Sequence, residues 1–389
     1  MNLEPILEER EAKIVHRAGW VLADGDTVIQ NGFVRVENGV IRETGSFHSS
    51  CHDRVVDHGE GLLMPAFVNA HTHLELSALK GQLAFGGRFS DWVRDLLKHR
   101  ESLGFDGLVR SIGQGLDELL YGGTLVVGDV STLGIVSPHV RNSALSGILF
   151  REYLGNDLPD LTHNPDSGRF VRSFAGHAPH TASPGLLTFL KKSCTDLGRP
   201  LSIHLAESVD EFEFITTGKG AWADFLGERG VDYSDWGLPF ESPVAYLDSL
   251  GLLGSGTLAV HLIHAGKKDI GIMKQRGAWV CLCLRSNRNL HNTLPDVDTL
   301  VREQVRLCLG TDSLASTESL GMVDEMRFLA RAFPAVALKE IFRMATLNGA
   351  EALGLGHAFG SLRPGKRAAM VYAPVRAYSE KTLLEKLLS

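Results

Sequence analysis

LLMPAFVNAHTH (residues 62–73) is an apolar stretch that ends in two histidines separated by one residue. Seven further apolar runs follow it along the chain, and most of them precede an amphipathic segment with helical spacing. These runs are TLVVGDV (124–130), ALSGILFREYL (144–154), SFAGHAPH (173–180), LSIHLAE (201–207), TLAVHL (257–262), AWVCLCLRS (278–286) and VRLCLGTD (305–312). Continuous rather than alternating apolar runs are typical of parallel strands buried on both faces. Eight such units in succession predict an α/β fold of the (β/α)8 TIM-type barrel class.

The two ends of the chain have a different pattern. Residues 14–63 contain short strand-like segments separated by the turn signals NGF, ENG and ETG, which are spaced as in β-hairpins. The segment FGSLRPGKRAAMVYAPV (359–375) returns to strand character after a helical stretch. We therefore expect residues 1–63 and 357–389 to form one small β-sandwich-like domain beside a barrel that spans residues 64–356.

Composition and charge exclude several classes of protein. The 389 residues carry 39 basic and 46 acidic side chains, a net charge of −7, and no long basic run, so nucleic-acid binding is not expected. No apolar stretch approaches the roughly 18 residues of a membrane helix, and the N-terminal MNLEPILEER lacks the features of a signal peptide. The five cysteines do not have zinc-ribbon spacing, and their odd number predicts reduced thiols in the cytoplasm. The expected partners are a small-molecule substrate and, in a homodimer, a second copy of the chain.

The 16 histidines are unusually many, and several lie where a barrel places its active site, at the carboxyl ends of the strands. Polar residues of this kind end five of the eight runs: His71 and His73, His177 and His180, His204 followed by Glu207, His261, and Asp312. Residues i and i+2 of a strand point to the same side, so His71 and His73 can both face the barrel axis and bind one ion. A third histidine, His204, and a carboxylate, Asp312, would complete an N3O set that suits Zn²⁺ or Fe²⁺.

Two positions in this pattern have alternative interpretations. His264 lies three residues after His261, but His261 closes the apolar run and is the residue expected at the strand end. Glu75 follows the two histidines directly, and it is either a substrate contact or a support for the metal ligands. The aromatic-rich segment 218–256 is too long for a simple connection between a strand and a helix, so we expect it to cover the barrel mouth.

Six ordered blocks of this sequence resemble the amidohydrolase superfamily. The stretch MPAFVNAHTHLE resembles the opening block of that family, P-G-F-V-N-x-H-x-H-L-E. The later blocks of the family are matched in this sequence by HAPHTASPGLL, HLAES, TLAVHLIH, CLRSNRNL and LGTDSLAST. The series is specific for the branch that contains hydrolytic deaminases and chlorohydrolases. The stretches between the blocks are most similar to aminodeoxyfutalosine deaminases. The sequence departs from the pattern at Ala66, His180, Leu284 and Thr317, where the family usually has Gly, Tyr, Pro and Asn.

The resemblance implies a role for each polar residue at the strand ends. It places one divalent metal ion, zinc as the expected ion with ferrous iron as the alternative, on His71, His73, His204 and Asp312. Glu207 would be the proton shuttle, His261 and Asp312 would act on the attacking water, and His177 would contact the substrate. Further substrate contacts are expected among Glu75, Arg285, Ser286 and Arg288, with Arg94 and Arg100 as other candidates for a substrate carboxylate.

The same resemblance implies hydrolytic deamination of an amino-purine nucleoside. The expected reaction converts 6-amino-6-deoxyfutalosine to futalosine and ammonia in menaquinone biosynthesis. The alternatives are a deaminase of S-adenosylhomocysteine, methylthioadenosine or another adenosine-type substrate, and a chlorohydrolase of the same branch. A non-catalytic scaffold would usually lack a ligand or the shuttle, and both are present. A two-metal cyclic-amide hydrolase would need a lysine near the end of the fourth run, and SFAGHAPH has none.

Overall fold

The computed structural model describes residues 3–6, 13–48, 53–161, 166, 169–377 and 379–389. The N-terminal decapeptide lies mostly outside these residues, and Cys51 lies outside them entirely. The strands of the described residues are β1 (Glu4–Ile6), β2 (Lys13–Leu22), β3 (Val28–Glu37), β4 (Val40–Ser46), β5 (Arg54–Asp57), β6 (Leu62–Pro65), β7 (Phe67–Thr72), β8 (Thr124–Ser131), β9 (Ser146–Tyr153), β10 (Phe170–Gly176), β11 (Leu201–Leu205), β12 (Thr257–His261), β13 (Trp279–Leu282), β14 (Arg306–Leu309) and β15 (Met370–Ala373).

The helices are distributed mainly between the later strands. They are α1 (Phe89–Tyr121), α2 (Ser137–Val140), α3 (Pro184–Asp196), α4 (Val209–Thr217), α5 (Ala221–Glu228), α6 (Pro243–Ser249), α7 (Lys267–Arg276), α8 (Leu284–His291), α9 (Val297–Arg302), α10 (Met322–Ala332), α11 (Leu338–Met344), α12 (Leu347–Ala352) and α13 (Glu380–Leu387). Short 3₁₀ helices occupy Leu74–Leu79 and Ser234–Trp236. No helix in the described part of the chain is both long and apolar enough to span a membrane.

Strands β7 to β14 form one sheet in chain order, and every neighbouring pair in it is parallel. The sheet curves until its first and last strands meet, where the backbone N–H groups of Thr311 and Asp312 donate to the carbonyl oxygen of His71 at 3.1 Å. Gly310 permits this approach, because a Cβ atom there would lie 2.8 Å from the same carbonyl oxygen. The predicted (β/α)8 barrel is therefore confirmed.

The barrel strands are buried on both faces, which explains their continuous apolar sequence. An inner cluster that includes Val126, Val260, Cys281 and Cys308 fills the barrel, while a second cluster lies between the strands and the helices outside. Every cysteine of the described residues is buried as a free thiol. This burial agrees with the expectation that these residues are small apolar groups of the core rather than zinc ligands.

The remaining strands form a separate seven-stranded sheet from both ends of the chain. Its order is β1-β15-β6-β2-β3-β4, and β5 pairs with β2. The run 62–73 is thus two strands, because β6 belongs to this small sheet and β7 opens the barrel. Within residues 359–375, where strand character was predicted, the structure has the strand β15, and the segment Glu380–Leu387 that follows is helical. Its Leu383 and Leu387, one helical turn apart, are both buried.

Candidate active site

The strand-end residues predicted to bind metal meet at the carboxyl end of the barrel. His71 lies in β7, His73 follows that strand, His204 lies in β11, and Asp312 follows β14. All four are buried, with exposures between 0% and 9%. The two Nε2 atoms of His71 and His73 are 3.1 Å apart, and they lie 3.8 and 3.6 Å from Oδ1 of Asp312. Ligand atoms of one tetrahedral zinc ion lie about 3.3 Å apart, given bonds of about 2.0–2.1 Å.

His204 binds the backbone through one ring nitrogen and leaves the other for a metal ion. Its Nδ1–H donates to the carbonyl oxygen of His177 at 2.7 Å, which leaves Nε2 unprotonated and available to a metal, as in many histidine metal sites. The ring of His204 stacks on that of His73 with 5.5 Å between centroids. Three imidazole nitrogens and one carboxylate oxygen are a donor set that fits a divalent cation.

Within the described residues, three overlapping groups of side chains have donor atoms close enough to share an ion. They are His71 with His73 and Asp312, His71 with His204 and His261, and Glu152 with His177 and His204. The predicted ligand set therefore spans the first two groups, which share His71. His261 lies close enough to be a ligand as well, so the structure brings together the four predicted ligands and one neighbour.

Asp312 is held by hydroxyl groups on its far side. Its Oδ2 accepts hydrogen bonds from Oγ of Ser286 at 2.6 Å and Oγ of Ser316 at 2.9 Å, which leaves Oδ1 directed at the two histidines. The sequence analysis expected Ser286 to contact substrate. Ser286 is instead fully buried behind Asp312 and outside the cavity, where it supports the carboxylate of Asp312.

Glu207 is buried at the base of the cavity and is fixed from two directions. Its Oε1 accepts a hydrogen bond from Nε2 of His291 at 3.2 Å and lies 3.6 Å from Nε2 of His261. Burial by itself would raise the pKa of Glu207, but His261 and His291 lower it below its ordinary value. Glu211 holds the backbone, because its carboxylate accepts from the N–H groups of Ala206 and Glu207 at 2.9 and 2.7 Å.

The structure places His261 and His264 in different surroundings. His261 ends β12 and lines the cavity, and its Nδ1–H donates to Oδ1 of Asn287 at 2.8 Å. Burial lowers the pKa of His261, although the nearby carboxylates of Glu207 and Asp312 raise it. His264 lies outside this cavity, in a neighbouring groove. The placement therefore agrees with the choice of His261.

The cavity above these groups has a volume of about 210 Å³. His177 lines this cavity. Burial lowers the pKa of His177 to about 4, so its ring is neutral near pH 7. Two aromatic residues of the segment predicted to cover the mouth, Trp222 and Phe225, form part of its apolar wall. Trp236, from the same segment, is buried in the core instead.

Glu75 lines the cavity and is also tied to the barrel. Its carboxylate accepts hydrogen bonds from Oγ of Ser131 at 2.6 Å and from the backbone N–H groups of Thr132 and Leu133 at 3.0 and 3.1 Å. This arrangement orders the loop after β8. The geometry therefore permits both roles that the sequence left open for Glu75.

The arginines expected to meet the substrate do not lie where the sequence suggested. Arg285 donates to Ser319 at 3.1 and 3.2 Å and to Glu318 at 3.0 Å, and Arg288 is exposed. Neither lines the cavity. The reason is that β13 ends at Leu282 and α8 begins at Leu284, so the helix turns both side chains away from the barrel mouth.

Of the other two candidate arginines, only Arg100 lines the cavity. Arg94 donates to both carboxylate oxygens of Glu228 at 3.0 and 3.1 Å. Arg100 has no such ion pair within the described part of the chain, and it is only partly buried. It is therefore the cation best placed to meet an anionic group at the cavity mouth.

His180 does not line the cavity. Its ring packs against Trp222 with 4.3 Å between centroids, and its Nδ1 lies 3.9 Å from Oε2 of Glu211. Burial raises the pKa of Glu211 to about 8. Histidine at position 180, where the family usually has tyrosine, therefore affects the packing behind Glu207 and does not contact a substrate in the cavity.

Sequence reasoning missed His291, Asn287, Glu211 and Glu152. Glu211 has a local signal, since it lies four residues after Glu207 and near the start of α4. Asn287 and His291 have none, because their partners His261 and Glu207 are 26 and 84 residues away in sequence. Glu152 becomes relevant only because β9 and β10 are neighbours in the barrel.

Comparisons with known proteins agree with this geometry. The 5-methylthioadenosine/S-adenosylhomocysteine deaminase of Moorella thermoacetica is 29% identical over 345 residues, which are 83% of this chain and 76% of that protein. The structure of Helicobacter pylori aminofutalosine deaminase in complex with methylthio-coformycin has a TM-score of 0.83 and 25% identity, and covers 96% of this chain and 95% of that one. A zinc-bound adenosine deaminase from Xanthomonas campestris has a TM-score of 0.78 and 24% identity, with coverage of 98% and 90%.

The family model agrees over most of the chain. The model of the amidohydrolase family matches residues 62–375, which include the barrel and every predicted metal ligand. The expected hydrolase class, with a C–N bond as its target, is confirmed by this match and by the deaminase relatives. The resemblance read from the sequence blocks is therefore confirmed, and the chain belongs to the amidohydrolase family.

Proposed function

We propose that this protein is a zinc-dependent hydrolytic deaminase that converts 6-amino-6-deoxyfutalosine to futalosine and ammonia. The observation that carries the proposal is the placement of Glu207, a buried carboxylate at the base of a cavity beside a convergent set of histidine and aspartate donors. Deaminases of adenosine-type substrates are prominent among the relatives and structural neighbours. The zinc-bound neighbour supports zinc as the ion.

The chemistry requires a water oxygen to add to the ring carbon that bears the amino group, after which the C–N bond breaks and ammonia leaves. The two protons of that water end on the ring nitrogen and on the leaving amine. A divalent ion, when bound, supplies the Lewis acidity that makes water nucleophilic near neutral pH. The protein residues move the protons.

Glu207 carries the proton to the ring. It is ionised because His261 and His291 lower its pKa despite burial, so it can accept a proton and then donate it to a ring nitrogen. His261 directs its Nε2 toward the same space, since Asn287 holds its Nδ1–H. Oδ1 of Asp312 is left free by the two serine hydroxyls and is the second group able to accept a proton from the attacking water.

The outer cavity suits a substrate with an aromatic or apolar extension that ends in an anion. Trp92, Leu96 and Phe225 form an apolar wall, and Arg100 lies on the same cavity. 6-Amino-6-deoxyfutalosine combines an adenine with a ribose-like part and an aromatic carboxylate. A guanidinium recognises a carboxylate through charge-assisted hydrogen bonds, so Arg100 is the proposed partner of that carboxylate.

The test is ammonia release by the purified, zinc-loaded enzyme from 6-amino-6-deoxyfutalosine, adenosine, methylthioadenosine and S-adenosylhomocysteine. We expect the highest kcat/KM with 6-amino-6-deoxyfutalosine. A higher value for methylthioadenosine or S-adenosylhomocysteine would transfer the proposal to the activity of the Moorella relative. Absence of ammonia with every substrate would contradict deamination of these nucleosides altogether.

Replacing Arg100 by methionine is expected to raise KM for 6-amino-6-deoxyfutalosine about 10- to 100-fold, since a hydrogen bond to a charged group contributes about 1.5–3 kcal/mol. The KM for methylthioadenosine, which has no carboxylate, should change little. Arg110→Met is the matched control, because Arg110 is exposed and does not line the cavity. Steady-state kinetics with both substrates measures the difference. An equal change for the two substrates would contradict the assigned contact.

The expected homodimer, the cytoplasmic location and the place in menaquinone biosynthesis remain proposals. They follow from the same resemblance and composition. Sedimentation of the purified chain would test the first of them directly, since a dimer doubles the sedimenting mass of the 42.3 kDa chain.

A further inference from the structure

His291 is a partly buried histidine outside the predicted ligand set, and it contacts the proposed proton shuttle. Its Nε2 lies 3.2 Å from Oε1 of Glu207, and the side chains of the two residues are 6% and 7% exposed. A carboxylate only accepts, so His291 is the donor in this hydrogen bond. His261 approaches the same oxygen, at 3.6 Å. Both imidazoles thus lie on Oε1, and Oε2 is the oxygen that remains for the substrate.

The position of His291 is fixed by its helix and by one aromatic neighbour. It is the last residue of α8, and Asn292 ends that helix in a left-handed conformation with a φ of 50°. The ring packs against Phe89 with 4.8 Å between centroids. The ring is therefore held between the end of the helix and Phe89, with Nε2 facing Glu207.

His291 reaches Glu207 from outside the substrate cavity. Glu207 lines the cavity and not the neighbouring groove, whereas His291 lines the groove and not the cavity. Phe89 and Leu290 line both and form the wall between them. His291 therefore cannot contact a substrate in the cavity directly, and any effect it has on catalysis passes through Glu207.

We propose that His291 is a positioning residue whose Nε2–H holds Oε1 of Glu207 and so keeps Oε2 directed at the ring nitrogen of the substrate. The inference rests on the proposed deaminase function and deepens it. Glu211 fixes the backbone of Glu207, but the side chain has further rotatable bonds between that backbone and the carboxylate. The contact from His291 restrains them at the end that reacts.

The test compares glutamine and asparagine at this position. The amide nitrogen of glutamine can occupy the place of Nε2 in histidine, whereas that of asparagine is one methylene too short. His291→Asn is expected to lower kcat about 10- to 100-fold, the effect of losing one hydrogen bond to a charged group. KM should change less than about threefold, because the residue does not touch substrate. His291→Gln should recover most of the loss.

His357→Gln is the matched control, since His357 is exposed and lies outside both the cavity and the groove. Metal content and thermal unfolding are measured for every variant. Equal rates for His291→Asn and His291→Gln, whether high or low, would overturn the proposal. If His291→Asn does not fold, His291→Gln decides alone, because a retained rate supports the role of the donor and a lost rate contradicts it.

A spectroscopic measurement separates this inference from the proposed function. In protein labelled with ¹³C at the glutamate carboxyl, the Glu207 signal is identified by its loss in Glu207→Gln. The signal should move in His291→Asn and stay close to its wild-type position in His291→Gln. An unmoved signal in both variants would overturn the positioning role. This result does not depend on turnover, so it stands even if the wild type releases no ammonia.

Discussion

Replacing Glu207 by glutamine is expected to lower kcat about 10²- to 10⁴-fold, the range that general acid–base catalysis contributes. Glutamine keeps the shape of the side chain and an acceptor for the hydrogen bond from His291. The backbone remains fixed by Glu211. Only the capacity to carry a proton is removed. The loss should therefore appear in turnover while the bound metal and the thermal stability stay at their wild-type values.

Ammonia release, elemental analysis and thermal unfolding of Glu207→Gln measure these three quantities. Glu340→Gln is the matched control, because Glu340 is exposed on α11 and does not line the cavity. A Glu207→Gln protein with full metal content and an unchanged rate would show that another group transfers the proton. Loss of metal together with rate would instead place Glu207 in the metal site.

Replacing His204 by alanine is expected to abolish stoichiometric metal binding and to lower turnover by more than about a thousandfold. A bound metal contributes several kcal/mol to the stabilisation of the transition state, and each 1.36 kcal/mol is a factor of ten in rate. His204 is a predicted ligand with a defined orientation, since the carbonyl oxygen of His177 accepts a hydrogen bond from its Nδ1–H. Its ring also lies between those of His73 and His261, so its loss opens the centre of the site.

Metal content measured by elemental analysis is the direct readout for His204→Ala. Thermal unfolding with and without a chelator is the second, because a ligand that binds only the folded state raises the unfolding temperature. The chelator should lower that temperature for the wild type and for the surface variant His357→Ala, but not for His204→Ala. Stoichiometric metal in purified His204→Ala would contradict the ligand set.

The convergence of the predicted metal ligands could be anticipated from the sequence, because these residues lie at strand ends. His71, His204 and His261 each lie at or near the end of an apolar run, and the carboxyl ends of parallel strands meet at one mouth. The two-residue spacing of His71 and His73 brought two predicted ligands to one face. This inference needed only the barrel fold, and no other contact between distant segments had to be known.

The substrate contacts were less accessible to the same reasoning. Arg285 and Ser286 continue the apolar run AWVCLCLRS, and a strand extended to Ser286 would direct them to the mouth. The strand ends at Leu282, and the first turn of α8 directs Ser286 at Asp312 and Arg285 at Glu318. Strand ends are the least reliable part of such a prediction, and here a shift of about one helical turn changed the role of each residue.

The amino-acid sequence by itself determined the class of fold and predicted that the proposed metal ligands and Glu207 lie at one end of the barrel, because each follows from local periodicity and from the shared geometry of parallel strands. Only the tertiary structure decided which arginine lies on the cavity and which groups hold Glu207. Arg100 reaches the mouth because α1 packs across it, and His291 reaches Glu207 from 84 residues away. Such contacts depend on how separate helices pack against the barrel, and no periodicity within either segment encodes them.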